Sequence, residues 1–497
     1  MKTIVGVLLA IVVGSVALST SPGNASAPPP AASTGWTLEP VGFHGGSAPP
    51  DIGLDSHGVP QILFCPPGES RYAVRGANGW TNELFSTYGG GGVCGNLAVG
   101  PGDVPHVTTP FTAAIGCPAY GVRRNITWDL SCFPGGVMDA VDSLGRPHAV
   151  TYWTITATRY DLRHLWREAN GTWQFETAEA NALGAFPSLR WYSMVLDAAD
   201  NPRVLYYDSV RGDVRYAFRD ASGWHVEVVE HAGFIGRVGR GGQLALRSGS
   251  LPVAIYGTGL GPKDLRYAVR GPTGWTSEVV DDSATFLVHP TLSLAADVPC
   301  VAYEWIQEID ASLVRWDQDL LFRCRGPAGW SREVVLDGIV DGATTDALFA
   351  QFPDLKMDRC GNPQLAFYKS WTKGIADLGS GVYYATKGDC PTTTANVTLR
   401  VEPRTLNLKS KGQWVNAQIT VNGATAADVD LASLRLNGVP AARTWTWGST
   451  ITAKFDRGRL EGTLAPGNAV SVTLTGTWRD GGTFTATDTI RVIRPGR

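Results

Sequence analysis

Apolar and polar residues alternate with period two through most of this chain, and the runs open on glycine turns. One turn carries a tryptophan and recurs as Asn78-Gly-Trp80, Gly171-Thr-Trp173, Ser222-Gly-Trp224, Thr273-Gly-Trp275 and Ala328-Gly-Trp330, with alternating residues such as Thr276-Ser277-Glu278-Val279-Val280 behind it. Period two after a tight turn predicts a strand. A second apolar strand follows a Gly-x-Pro step or its remnant, with the proline at Pro60, Pro105, Pro147, Pro202, Pro252, Pro299 and Pro363. A third strand reads Arg71-Tyr-Ala-Val-Arg75, Val214-Arg-Tyr-Ala-Phe-Arg219, Leu265-Arg-Tyr-Ala-Val-Arg270, Leu320-Leu-Phe-Arg-Cys-Arg325 and Val382-Tyr-Tyr-Ala-Thr-Lys387, with weaker copies at 120–124 and 162–167.

Counting Trp128 as a worn copy, the repeat tryptophans are Trp36, Trp80, Trp128, Trp173, Trp224, Trp275 and Trp330, 44 to 55 residues apart. Four strands per unit at that period are the signature of propeller blades. The pattern begins with a lone tryptophan strand, residues 35–41, and the seventh unit stops at Lys387 without one. The first strand is therefore expected to complete the last blade, which leaves the ring no open edge. The predicted fold is all-β: a seven-bladed β-propeller over 35–390, a Pro/Thr linker at 391–395, and a C-terminal immunoglobulin-like β-sandwich over 396–497, where alternation continues without the tryptophan turn. The repeated Trp, Tyr and Pro are read as packing and turn residues.

Composition narrows the setting. There are 42 Lys plus Arg against 45 Asp plus Glu, a net charge of −3, which gives no basic field for nucleic acid. Lys2, an apolar run from Ile4 to Leu18 and small residues up to Ala27 have the layout of a secretory signal peptide, residues 1–27, followed by a Pro/Ala linker, 28–34. The apolar run is too short to cross a bilayer, so a mature protein without a membrane span, extracellular or periplasmic, is expected. Eight cysteines in such a chain imply disulfides. Strand positions pair Cys65 with Cys94, Cys117 with Cys132, Cys300 with Cys324 and Cys360 with Cys390. No metal-ligand spacing of Cys or His is present and no cofactor is expected, structural calcium at Asp428 and Asp430 apart.

The turn Asp220-Ala-Ser-Gly223-Trp224 resembles the Asp-box of sialidases and BNR-repeat proteins, Ser-x-Asp-x-Gly-x-x-Trp. The resemblance implies a secreted bacterial propeller of that kind. It does not carry over the catalytic residues, because the other turns lack the Asp and no Phe-Arg-Ile-Pro segment occurs.

Candidate chemistry gathers in the loops that interrupt the repeat, expected on one face around the axis. Tyr88, Trp153, Arg159, Tyr160, Arg211, Trp305, Trp316 and Trp371 are the candidate binding residues, since aromatics beside Arg suit the face and rim of a sugar. His44, Asp208, Arg240, Lys369 and an expected long acidic loop, Glu304 to Asp319, belong to the same loops. Glu304, His289 and Arg237 are the candidate catalytic residues for a glycoside hydrolase or a polysaccharide lyase, which needs carboxylates, or a base with an Arg that neutralises the substrate acid. No G-x-S-x-G and no phosphate loop is present. The expected role is extracellular recognition of a glycan or polysaccharide; the alternatives are those two enzymes and a docking platform for a cell-surface protein.

Overall fold

The computed structural model describes residues 35–494 apart from 43–48, 77, 88–93, 113–114, 125–126, 157–158, 184–191, 209–210, 232–241, 259–263, 313, 375, 389–395, 411, 423–424, 427–428 and 479–482. These residues are almost entirely strand. Five antiparallel four-stranded sheets take residues 51–87, 97–132, 137–183, 192–231 and 242–281, each with its strands in chain order. An eleven-stranded sheet holds the sixth and seventh repeats, joined by the short strand Ile339–Asp341, and it ends on Thr37–Gly42. That first strand pairs antiparallel with Gly381–Thr386, Thr37 opposite Thr386, as the phase of the repeat requires.

The first strands of the seven repeats, Asp51–Leu54, Leu97–Gly100, Val137–Val141, Tyr192–Leu196, Gly242–Arg247, Phe286–Ala295 and Asp346–Met357, touch in sequence, and the last touches the first. The arrangement is propeller-like. One type of hydrogen bond recurs along it: a polar side chain on one first strand accepts from a backbone N–H of the next. Asp51 takes Leu97, Asp139 takes Met194, Ser193 takes Leu244, Gln243 takes Leu292, Thr291 takes Leu355 and Asp354 takes Ile52, at 2.5–3.2 Å. Among the described residues no backbone ladder joins one first strand to the next, and side chains satisfy backbone groups that burial would otherwise leave costly.

A second recurring contact lies farther out. The residue three after six of the seven repeat tryptophans is a Glu whose carboxylate binds the arginine, or lysine, at the end of the next sheet's third strand. Glu39 holds Arg75, Glu83 holds Arg123, Glu176 holds Arg219, Glu227 holds Arg270, Glu278 holds Arg325 and Glu333 holds Lys387. Four of these carboxylates also accept from the next sheet's indole, Trp80, Trp128, Trp275 or Trp330.

Between neighbouring sheets the core is aromatic and aliphatic, with Tyr72, Tyr206, Tyr256, Tyr303 and Tyr384 almost fully buried. Where the seventh sheet meets the first, a Cβ on Gly42 would sit 2.6 Å from the Phe64 ring, so only glycine admits that ring. Disulfides join Cys65 to Cys94, Cys117 to Cys132 and Cys300 to Cys324, each pair as inferred from strand positions. Cys360 is also disulfide-bonded, and Cys390 lies outside the described residues.

Two expectations change. The expected loop from Glu304 to Asp319 is an extended hairpin, strands Val298–Asp310 and Arg315–Gly326, because the alternation continues past the usual strand end and Arg315–Asp317 finds a partner in Ile339–Asp341. Residues 396–493 form one continuous eight-stranded sheet rather than two separate ones. Strand Val439–Trp447 is the corner: Val439 and Pro440 pair with Val429–Leu436, while the residues from Ala441 pair with Thr450–Asp456, with a register shift between Ala441 and Arg443. A strand that changes partners through a bulge carries the sheet around its own core of Val401, Val415, Ile419, Ile451, Phe455 and Val472.

Candidate functional site

The sixth and seventh repeats bring two sequence candidates together. His289 and Phe352 occupy equivalent bulges, each before a proline and each in the left-handed region, with φ of 52° and 55°. Strain of this kind in a non-glycine residue persists only where the surroundings over-determine it. Here the buried Glu304 does so: its carboxylate lies 2.5 Å from His289 Nδ1, accepts the Phe352 N–H at 2.7 Å and accepts from Gln318 Nε2 at 3.3 Å. Three protein donors thus use the carboxylate, and it ties the two repeats to each other. Lys369 is buried nearby on strand Pro363–Lys373, its ammonium 3.8 Å from the Tyr383 ring centre and 4.9 Å from that of Trp371. Burial lowers it to about 8, against the pull of Asp377.

Beside that cluster, Asp317, Asp319 and Asp337 bring carboxylate oxygens within 4.8 Å of one another. Burial first, and then the neighbouring Asp charges, raises Asp319 to about 6. Trp305 is half-buried and donates to Ser283 Oγ at 3.0 Å, and Trp316 stands 6.1 Å from Phe286. Arg211 pairs with Asp208, and Arg159 donates to Asn181. Tyr160 is buried, which corrects its reading as a binding aromatic: alternation on strand Arg159–Arg167 turns it inward. Tyr88, Arg237, Arg240, His44 and Asp428 lie outside the described residues, while Asp430 accepts the Ala432 N–H.

Among the described candidate aromatics, Trp153 is the one the structure leaves open to solvent, at 46% exposure. It lies near the end of strand Pro147–Thr156 of the third sheet, and the ring of Phe175, 61% exposed on strand Trp173–Leu183, lies parallel to it within 5°, centres 6.4 Å apart. Arg163, on the strand between, places its guanidinium carbon 4.6 Å and 4.8 Å from the two centres. Ile155 continues the patch. Phe175 and Arg163 were not among the sequence candidates, because they stand on strand faces rather than in loops. The same holds for Trp445 and Trp447 on the outer face of Val439–Trp447, the latter 88% exposed, with Lys454 over the Trp445 ring at 5.4 Å. Two exposed aromatics at period two were the available signal.

The class defined by these features is an all-β, propeller-like protein with aromatic and arginine side chains on open strand faces. No known sequence family and no curated protein sequence matches the chain. Among solved structures it is similar to the lectin of Aleuria aurantia in complex with a fucosyl-GlcNAc, at 13% identity over 58% of this chain and 95% of that one, with a TM-score of 0.38. It is also similar to AofleA from Arthrobotrys oligospora, at 12% identity over 70% and 91%, TM-score 0.36. A third is a polysaccharide lyase, an ulvan lyase, at 13% over 68% and 96%, TM-score 0.44.

Proposed function

We propose that the chain is an extracellular glycan-recognition protein in which residues 35–390 form a closed seven-bladed propeller of BNR-like repeats and 396–497 an immunoglobulin-like accessory domain after a linker at 391–395. The cyclic contact of seven first strands and the repeated Glu–Arg contact support the ring; the separate core of residues 399–492 supports the second domain. Disulfides suit an oxidising, extracellular compartment.

One observation carries the glycan reading: two large aromatic rings, Trp153 and Phe175, stand exposed and parallel with one guanidinium against both. Leaving such rings in water forgoes burial worth roughly 1.5–3 kcal/mol each, and a sugar face recovers it on binding. The charged edge of Arg163 then meets ring oxygens or substituents. Isothermal titration of the protein against soluble polysaccharides tests this. Trp153→Ala and Phe175→Ala are expected to weaken binding at least tenfold with an unchanged unfolding temperature; retention of full affinity by both variants refutes the reading.

A further inference from the structure

Five of the boundaries between sheets can be compared through three residues. They are the residue six after the repeat Trp on the outer strand, and two directly paired residues on the second and third strands of the next sheet. From the third sheet to the fourth these are Glu179, Tyr206 and Arg215, and Glu179 accepts from both the hydroxyl and the guanidinium. From the fourth to the fifth they are Glu230, Tyr256 and Arg266, bonded at 2.6 Å and 3.0 Å. From the fifth to the sixth the register residues are Asp281, Tyr303 and Leu321; Asp281 accepts from Tyr303 at 2.5 Å, and from Arg323, two residues farther along the strand, at 2.8 Å. Between the sixth and seventh the triplet is apolar, Leu336, Phe367 and Tyr383.

From the second sheet to the third the triplet is Pro134, Thr151 and Arg163. The arginine is present and its carboxylate is not. The companion contact is broken at the same boundary: Ser131 stands three after Trp128, where the other six outer strands carry Glu, so Arg167 also lacks its acid. The chain contains no glutamate between Glu83 and Glu168. The outer strand Thr127–Cys132 ends in the disulfide to Cys117, and Trp173 Nε1 turns to the Cys132 carbonyl instead. Among the described residues Arg163 and Arg167 form no ion pair, and the Nε of each is buried without a hydrogen-bond partner. Their ring contacts are with Trp153 and Phe175 for Arg163, and with Tyr120 for Arg167.

We propose that the boundary between the second and third sheets binds a carboxylate-bearing polysaccharide, a polyuronate, whose acid groups take the places of the missing glutamates at Arg163 and Arg167 while its sugar rings lie on Trp153 and Phe175. Carboxylate is the group this register holds at the two following boundaries. The two arginines share one side of a strand, with Cα atoms about 13 Å apart, so a chain with an acid on successive sugars meets both where a single small acid meets one. The inference rests on the glycan reading above and names its substrate class.

The test titrates the full chain with polygalacturonate, dextran sulfate, neutral dextran and polyglutamate. Polygalacturonate is expected to bind at least tenfold more tightly than the others. Arg163→Ala and Arg167→Ala are each expected to lose tenfold or more of that affinity. Thr151→Glu, which sets a carboxylate directly across from Arg163, is expected to lose as much with an unchanged unfolding temperature. Unchanged polygalacturonate affinity in the arginine variants overturns the proposal. Polyglutamate binding equally well overturns it in favour of an acidic protein partner, and dextran sulfate doing so overturns it in favour of a site for charge alone. Binding of dextran without a preference for polygalacturonate overturns this inference and leaves the glycan reading standing; absence of binding to every polysaccharide ends both.

Discussion

The boundary of the fourth and fifth sheets and that of the second and third are built on one plan and differ in a few side chains. At the former, Glu230 receives Tyr256, Arg266 and Ser277, and Glu227 receives Arg270 and Trp275. Each of those charges has an intramolecular partner. At the latter, Pro134 and Ser131 replace the two acids, and Arg163 and Arg167 remain with aromatic neighbours. The Glu three residues after the Trp recurs at six of the seven boundaries, and its loss together with that of the second acid at this one is the departure on which the proposed site rests.

The comparison is broken most severely by creating the same defect where none exists. Glu230→Ala strands a tyrosine hydroxyl and an arginine in a half-buried contact and is expected to cost about 2–3 kcal/mol, read as a shift in the urea midpoint. Replacing the whole triplet by an apolar set like that between the sixth and seventh sheets, Glu230→Leu with Tyr256→Phe and Arg266→Tyr, is expected to restore most of that loss.

A smaller, pH-dependent difference separates the second sheet from the fifth. His106 is buried against the Tyr120 hydroxyl at 2.7 Å, and burial lowers it from 6.5 to about 4; the equivalent position after the blade proline in the fifth sheet is Val253. Its folded value lies below its unfolded one, so the stability it contributes is complete above pH 6.5 and is lost as pH falls toward 4. His106→Gln copies the first sheet, where Gln61 receives the Tyr72 hydroxyl at 2.7 Å, and is expected to flatten the unfolding midpoint over that window. The smallest effect is expected from Arg163→Ala, which removes only ring contacts and should cost about 1 kcal/mol or less in the same urea titration, against the larger loss at Glu230.

Repeat length, strand order, the first strand's place in the last sheet and three cysteine pairs were legible in the sequence, since each depends on position within a unit. The Glu three residues after six of the seven repeat tryptophans was equally legible, but within a strand it is indistinguishable from ordinary polar alternation until its partner on the next sheet is known. Arg163 is harder to see: its significance lies in an acid that is missing at Pro134 and Ser131, and a missing partner becomes visible only when three strands are in register. The exposed aromatics also stand away from the loops where a repeat usually carries its site. Trp153 lies near a strand end, whereas Phe175, Trp445 and Trp447 project from strands whose outer faces sequence alone does not distinguish from buried ones.

Thr37–Gly42 is the first described strand to be synthesised and the last to find its place. Its partner, Gly381–Thr386, follows about 340 residues later, and Glu39 meanwhile has Arg75 and Trp80 within reach on the other side. An emerging chain can therefore assemble its sheets one after another, but it cannot close until nearly the entire ring has left the ribosome. Such long-range pairing is slow, so in the interval the early strand travels as an unclasped end held by the first sheet alone.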